Sequence, residues 1–323
     1  MKRFIGLLAV VLAIAGCSST STTTNPTPAP QSIYVGNVGN NSISVFPPGS
    51  NGNVAPTATI TGAATSINEP YYLWVDSAGK IWSSNWTGGA AGSITAYSAG
   101  STGNVAPVVN LTGAATNLIG PCGIYVDATG KLYEANCSGA SVGVFSPGST
   151  GNVAPAQFIQ GATTNLGFPE GLAVDTAGNI WVGDCGAAGH EAVYKWPNNA
   201  TGNVAPSVTI TYAPMTCVDG VAVDGNGRVY AAQDSGGAPG ADAIYVFAAG
   251  ANGLSTPVQT IQGVLTKLNI PYSVQLDNAG NIWVGNSDNV EMFPASANGN
   301  VAPTVFIQGA NTLVNEPWGV ALH

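Results

Sequence analysis

Two histidines, sixteen carboxylates and five cysteines are the side chains with which this 323-residue chain could do chemistry. They form none of the local patterns that announce a catalytic machine. No Gly-x-Ser-x-Gly turn presents a nucleophilic serine, no His-Glu-x-x-His sets two ligands on one helical face, and no phosphate-binding loop is present. His190, followed by Glu191 in a Gly/Ala-rich stretch, is the internal histidine, because His323 ends the sequence. It could act as a base or ligand, and a lone loop histidine is more often simply solvated. Any chemistry must therefore come from residues that the fold gathers from distant positions.

The gathering elements show as a repeat. An apolar segment ending in Val-Asp or Leu-Asp, a tight turn with Gly, and then Ile, Leu or Val before an aromatic recurs at Asp76, Asp127, Asp175, Asp224 and Asp277, in steps of 51, 48, 49 and 53 residues. A period near fifty residues signals a propeller or solenoid. Each repeat splits into four short strand-like runs, in the fourth 171–174, 179–183, 192–196 and 207–211, and no helical periodicity appears. Four antiparallel strands per unit predict a propeller blade. The turn between the third and fourth runs is Gly-Asn-Val-Ala-Pro from Gly52, Gly103, Gly151, Gly202 and Gly299, degraded at Gly253, and it reads as structural punctuation.

The ends predict how the ring closes. Residues 318–322 form an inner strand with no second strand after it, and 33–36 form a second strand with no inner strand before it. Joined, they complete a sixth blade and remove two free edges. The expectation is an all-β, six-bladed β-propeller over residues 32–323.

On such a ring, the loops leading into the inner strands and those joining strands two and three share one face. The lead positions are Tyr71, Cys122, Glu170, Asp219, Tyr272 and Trp318; the ends of the second strands are Asn37, Asn85, Asn136, Asp184, Gln233 and Asn286. The second set is an amide or acid in every blade, so it should serve each blade by bonding its own loop backbone. The Val-Asp aspartates should do the same in hairpins on the opposite face. The lead positions vary, which suits a specific site. Glu170 and Asp219, with Asp184 nearby, should crowd carboxylates at the channel mouth, where they repel unless a cation or proton intervenes. Tyr71, Tyr272 and Trp318 should make an aromatic wall opposite, able to stack on a sugar or other flat ligand. These six residues, Tyr71, Glu170, Asp184, Asp219, Tyr272 and Trp318, are the candidate ligand-binding set, and Glu170, Asp219 and His190 the candidate metal set for calcium or zinc. The alternative is a solvated mouth with water between the acids.

The run Gly-Leu-Ala-Val-Asp-x-x-Gly-Asn-Ile-Trp-Val at 171–182 resembles an NHL repeat, which implies the same propeller fold. Acids at inner-strand starts are also similar to the SMP-30/gluconolactonase family, whose metal-dependent lactonases take divalent-metal ligands from such positions. Glu170 and Asp219 match in type, whereas Tyr71, Cys122, Tyr272 and Trp318 depart from that ligand set. The virginiamycin B lyase group shares the strand rhythm, but no catalytic His and Glu arrangement maps onto this chain.

Residues 1–17 read as a signal peptide: Lys2 and Arg3, then the apolar run 4–13, then Ile14-Ala15-Gly16-Cys17. The ending resembles the lipobox of bacterial lipoproteins, which implies a lipidated Cys17 as membrane anchor. Ser18 in place of an aspartate favours the outer membrane. Residues 18–31 are Ser, Thr, Pro, Asn and Ala with almost nothing to bury, so they should form a disordered tether. Loss of Lys2 and Arg3 with the leader leaves five basic residues against sixteen acidic ones, near −11, which excludes nucleic acid as a partner. Charged residues are only 7% of the chain, so Ser, Thr, Asn and Gly must cover the surface. In an exported protein the four remaining cysteines should pair: hairpin register brings Cys122 beside Cys137, and Cys185, ending the next second strand, faces Cys217 in the loop entering the following blade, the preferred of three connectivities. A zinc site is the alternative, weakened because no two cysteines are spaced by two residues.

The sequence thus predicts an envelope lipoprotein whose propeller binds a glycan, a small molecule or another envelope protein without catalysis. The rival is a divalent-metal-dependent hydrolase, lactonase or lyase at the channel mouth.

Overall fold

The computed structural model describes residues 29–87, 92–186 and 190–323. The leader with Cys17 and residues 18–28 of the tether lie outside the described residues. Among the described residues no helix is long and apolar enough to cross a membrane, and the helical pieces are three-residue 3-10 turns such as Ala63–Thr65.

Six sheets of antiparallel strands make the ring. Blade one joins the two ends of the chain in the order Gly319–Leu322, Ile33–Asn37, Ser42–Phe46, Ala58–Thr61. Its seam is in register from Ile33 opposite Leu322 to Gly36 opposite Gly319, extended by Ser32 and His323 exchanging backbone hydrogen bonds of 2.7 and 3.1 Å. The closure expected from the sequence is therefore present. Blades two to six follow in chain order, their inner strands being Pro70–Val75, Pro121–Val126, Pro169–Val174, Val218–Val223 and Ser273–Leu276. The fourth blade continues with Ile180–Asp184, Ala192–Trp196 and Val208–Thr211, within two residues of the predicted runs.

The core is divided into wedges between neighbouring blades. Tyr133, Val142 and Ile159 of blade three meet Leu172, Val182 and Trp196 of blade four, and Ile33, Val35 and Phe46 of blade one meet Trp283, Val290 and Ile307 of blade six. Each wedge buries large aliphatic and aromatic side chains worth roughly 1.5–3 kcal/mol apiece. Blades thus hold each other through these wedges.

The repeat motifs explain the geometry. In each Val-Asp hairpin one aspartate oxygen accepts the N–H groups two and four residues on, and the other faces the aromatic six residues on: Asp76 takes Ala78, Lys80 and Trp82 Nε1, each at 3.0 Å. Asp175 and Asp277 repeat this with Trp181 and Trp283, and Asp127 and Asp224 substitute tyrosine hydroxyls at Tyr133 and Tyr230. The aromatic in the repeat is thereby a hairpin clasp.

The Gly-Asn-Val-Ala-Pro turn does more than punctuate. Its glycine N–H bonds the outer strand of the preceding blade, as Gly103 to Thr59 O at 2.7 Å and Gly151 to Asn110 O at 2.8 Å. Its asparagine Oδ1 accepts a second N–H there, Asn104 from Ala64 and Asn152 from Ala115. Gly62, at φ 117°, lies so close under Asn104 that a Cβ would meet its Oδ1 at 2.6 Å. The turn therefore covers an open sheet edge and clips each blade to its neighbour.

Candidate functional site

The lead residues owe their placement to irregular pairing. In blades two, three, four and five the inner strand shifts register against the second strand, between Pro70 and Leu73, Pro121 and Ile124, Pro169 and Leu172, and Val218 and Gly220. Bulges re-aim side chains, and these bracket Tyr71, Cys122, Glu170 and Asp219. The residue after each lead position is glycine at Gly123, Gly171, Gly220 and Gly319, because neighbouring inner strands converge there: a Cβ on Gly171 would meet Val221 N at 2.6 Å and Asp219 O at 2.7 Å.

Glu170 and Asp219 do come together, and a proton reconciles them. Asp219 is 2% exposed and Glu170 6%, so both acids lie below the open surface of the mouth. Burial is the main reason both carboxyls titrate above their ordinary range; the charges of Asp234 and Asp184 add to the rise at Glu170, and those of Glu170, Asp234 and Asp242 to the rise at Asp219, while a hydrogen bond between the two acids, with Asp219 the donor, raises Asp219 further and opposes the rise at Glu170. The Tyr71 hydroxyl donates to Glu170 Oε2 at 3.0 Å, which opposes the rise at Glu170. Asp219 Oδ1 also rests against Cys185 Sγ at 3.1 Å and Cys217 Sγ at 2.6 Å. Disulfide sulfurs offer no proton, so the neutral carboxyl suits that contact.

Both predicted disulfides are present, Cys122–Cys137 and Cys185–Cys217. The first ties an inner strand to its partner, and the second ties the end of one second strand to the loop leading into the next blade.

Above the acids lies an aromatic layer. Tyr272 stacks on Trp318 with ring centres 4.2 Å apart, and Tyr71 meets Trp318 edge-on at 4.8 Å and Trp86 at 6.1 Å. Tyr71 leans over the acid pair, whereas the sequence placed the wall opposite it. Tyr272, Trp318, Trp86 and Phe168 are partly buried, and the indole N–H groups of Trp86 and Trp318 have no hydrogen-bond partner.

Asp184 belongs to another system. Its oxygens accept N–H groups from Gly167, Phe168 and Gly186 at 2.7–3.1 Å. The equivalent Asn85, Asn136, Asn286 and Asn37 accept one N–H each from Asn68, Ile119, Asn269 and Asn315, and Gln233 donates to the Thr216 hydroxyl. This set latches the loop leading into its own blade, as its recurrence suggested. His190 directs Nδ1 at Asn165 O, 2.6 Å away, and Asp184 feels its charge.

A resident divalent ion does not fit this donor set. Glu170 and Asp219 are bonded to each other; Glu170 also accepts from Tyr71; Asp184 and one nitrogen of His190 serve backbone groups; and Asp219 faces sulfurs already consumed in a disulfide. Cys185, Cys217 and Asp219 lie within 4.8 Å of one another, yet disulfide-bonded sulfur is no thiolate ligand.

One central residue escaped the sequence reading. Tyr72 stands where four other blades carry the glycine that follows the lead residue, and it crosses the channel from blade two. Its hydroxyl lies 2.6 Å from Asp219 O and 2.7 Å from Tyr272 O, in blade five and beside blade six. It is 1% exposed and closes the shaft beneath the acids. A tyrosine in a column of Gly, Gly, Gly, Ser and Gly was the available signal.

These features define a six-bladed β-propeller with a plugged channel, and solved structures resemble it in fold. A laminin–nidogen complex contains a chain that aligns at TM-score 0.61 with 13% identity, over 90% of this chain and 98% of that one. A putative 6-phosphogluconolactonase from Bacteroides fragilis aligns at 0.59 with 13% identity over 92% and 100%. A protein of unknown function from Bacteroides caccae aligns at 0.59 with 11% identity over 91% and 99%. At such identities the likeness is one of fold. No protein-family model matches the chain, and no curated protein sequence matches it.

Proposed function

We propose that this chain is an NHL-like propeller, anchored in the bacterial cell envelope through lipidated Cys17, that binds a flat-faced ligand such as a glycan ring without chemical turnover. The observation that carries the reading is the division of labour at the mouth. The acids are buried in one hydrogen-bonded unit with Tyr71, while the layer above them offers the partly buried ring faces of Tyr272, Trp318 and Trp86. Sugar rings present an apolar face, the feature such a layer recognises.

The tether supports the orientation. Gln31 Oε1 accepts the N–H of Asn278, in the Asp277 hairpin, at 3.0 Å, so the chain leaves the ring on the hairpin face. An anchor on that side turns the aromatic layer away from the membrane.

Glycan-array screening of the exported domain, repeated with Trp318→Ala and Glu170→Gln, tests the site. Binding lost on Trp318→Ala and kept on Glu170→Gln agrees with it. A hydrolytic activity that disappears on Glu170→Gln overturns it in favour of a lactonase-type enzyme. Metabolic labelling with a fatty-acid analogue should mark the full chain and fail on Cys17→Ser.

A further inference from the structure

The channel has a second mouth, and it too is built from a variable position. The residue two before each hairpin aspartate is Trp74, Tyr125, Ala173, Ala222 and Gln275 in blades two to six. All five line one cavity of about 270 Å³ on the hairpin face. Trp74 and Tyr125 fill one side, with ring centres 4.4 Å apart and planes tilted by 46°. Across from them two alanines leave the space that the next large side chain would have taken. A position that repeats for structure should carry one residue type, as the hairpin aspartates do, and this one runs from Trp to Ala.

The lining sets the chemistry. Leucine and valine side chains complete the walls, so water gains few partners inside. The carboxylates of Asp175 and Asp224 reach the rim, but each is already neutralised, Asp175 by Lys195 Nζ at 3.6 Å and Asp224 by Arg228 Nε at 2.7 Å. Their oxygens also hold the hairpin N–H groups. Net attraction for an ion is therefore small. The polar side-chain groups left to read a ligand are the Gln275 amide and the Tyr125 and Thr176 hydroxyls. A pyranose brings more hydroxyls than this largely apolar lining can satisfy.

We propose that the hairpin-face mouth is a binding site for an uncharged aromatic small molecule, held between the Trp74–Tyr125 pair and the Ala173–Ala222 wall. Gln275 meets the ligand's polar edge, beside the Trp74 ring. Tyr72 stands between this site and the acid pair, so the two mouths are independent. The site does not rest on the glycan reading.

The test uses the exported domain labelled with nitrogen-15 and three isosteric probes that differ in charge: benzamide, benzoate and benzamidinium. The Trp74 indole signal is identified by its loss in Trp74→Phe. Benzamide should shift that signal saturably, and benzoate and benzamidinium should bind about tenfold more weakly. Ala173→Phe, which fills the cavity, should abolish the shift while the variant unfolds at an unchanged temperature. Trp318→Ala, at the other mouth, should leave it intact. The proposal fails if benzamide produces no saturable shift, if benzamidinium binds best, or if octyl glucoside displaces benzamide through its alkyl chain. It fails equally if Ala173→Phe stays folded and still binds.

Discussion

Tyr72 shows how one side chain can decide what a channel is for. Its hydroxyl serves carbonyls of residues 147 and 200 positions away in sequence, so its loss should loosen three blades at once. Tyr72→Phe should cost about 1 kcal/mol by removing a buried hydrogen bond, and Tyr72→Ala about 3–5 kcal/mol by opening a cavity, both read from denaturant unfolding. Buried acids make a second prediction at this scale. Burial raises Glu134, Glu170 and Asp219 above their ordinary ranges and lifts Glu291 to about 8. An acid protonated in the fold but ionised when unfolded stabilises fully below its unfolded pKa, and that stability fades as pH climbs to the folded value. The hairpin carboxylates Asp127, Asp175 and Asp224 are shifted downward and lose their contribution only on acidification below the ordinary aspartate range. The melting temperature should therefore fall between roughly pH 5 and pH 8, and Glu291→Gln should flatten that decline. A melting temperature that rises across this interval would contradict the assignment.

Blades, hairpins and clips were legible in the sequence to different degrees. Strand limits followed from apolar runs between turn residues, the Cys122–Cys137 disulfide from register, because its ends flank one hairpin, and Cys185–Cys217 from the shared rim of two adjacent blades. What the repeat did not disclose was contact between repeats. The asparagine of Gly-Asn-Val-Ala-Pro looked like a turn former, yet its partner lies about forty residues earlier in the preceding blade, as Asn152 shows with Ala115. The bulges at Tyr71 and Glu170 were likewise invisible, since a register shift leaves no mark on composition. Asn152→Ala should cost about 1 kcal/mol, and Gly113→Ala more, because its φ of 113° and the Asn152 side chain 2.6 Å from the new Cβ both oppose it. Thermal unfolding of the two variants checks that order. Opening Cys122–Cys137, whose ends are 15 residues apart, should cost about 3 kcal/mol on loop entropy, and Cys185–Cys217, at 32, slightly more.

At the scale of the ring, closure by the two chain ends gives both mouths their meaning. Residues on one face can share a site only because Gly319–Leu322 pairs with Ile33–Asn37 and fixes the order of blades around the axis. The sequence led to that closure and to the gathering of Glu170, Asp219, Tyr71, Tyr272 and Trp318. It did not reveal that the acids would be roofed, because the lean of Tyr71 onto Glu170 depends on packing across the channel. The central claim is that these acids belong to the framework and the aromatic layer above them to recognition. Elemental analysis of the exported domain together with electron density at the lead-in mouth tests it most directly. The account predicts no stoichiometric divalent ion and a carboxyl pair sharing one proton beneath Tyr71; an ion held by Glu170 and Asp219 would contradict it.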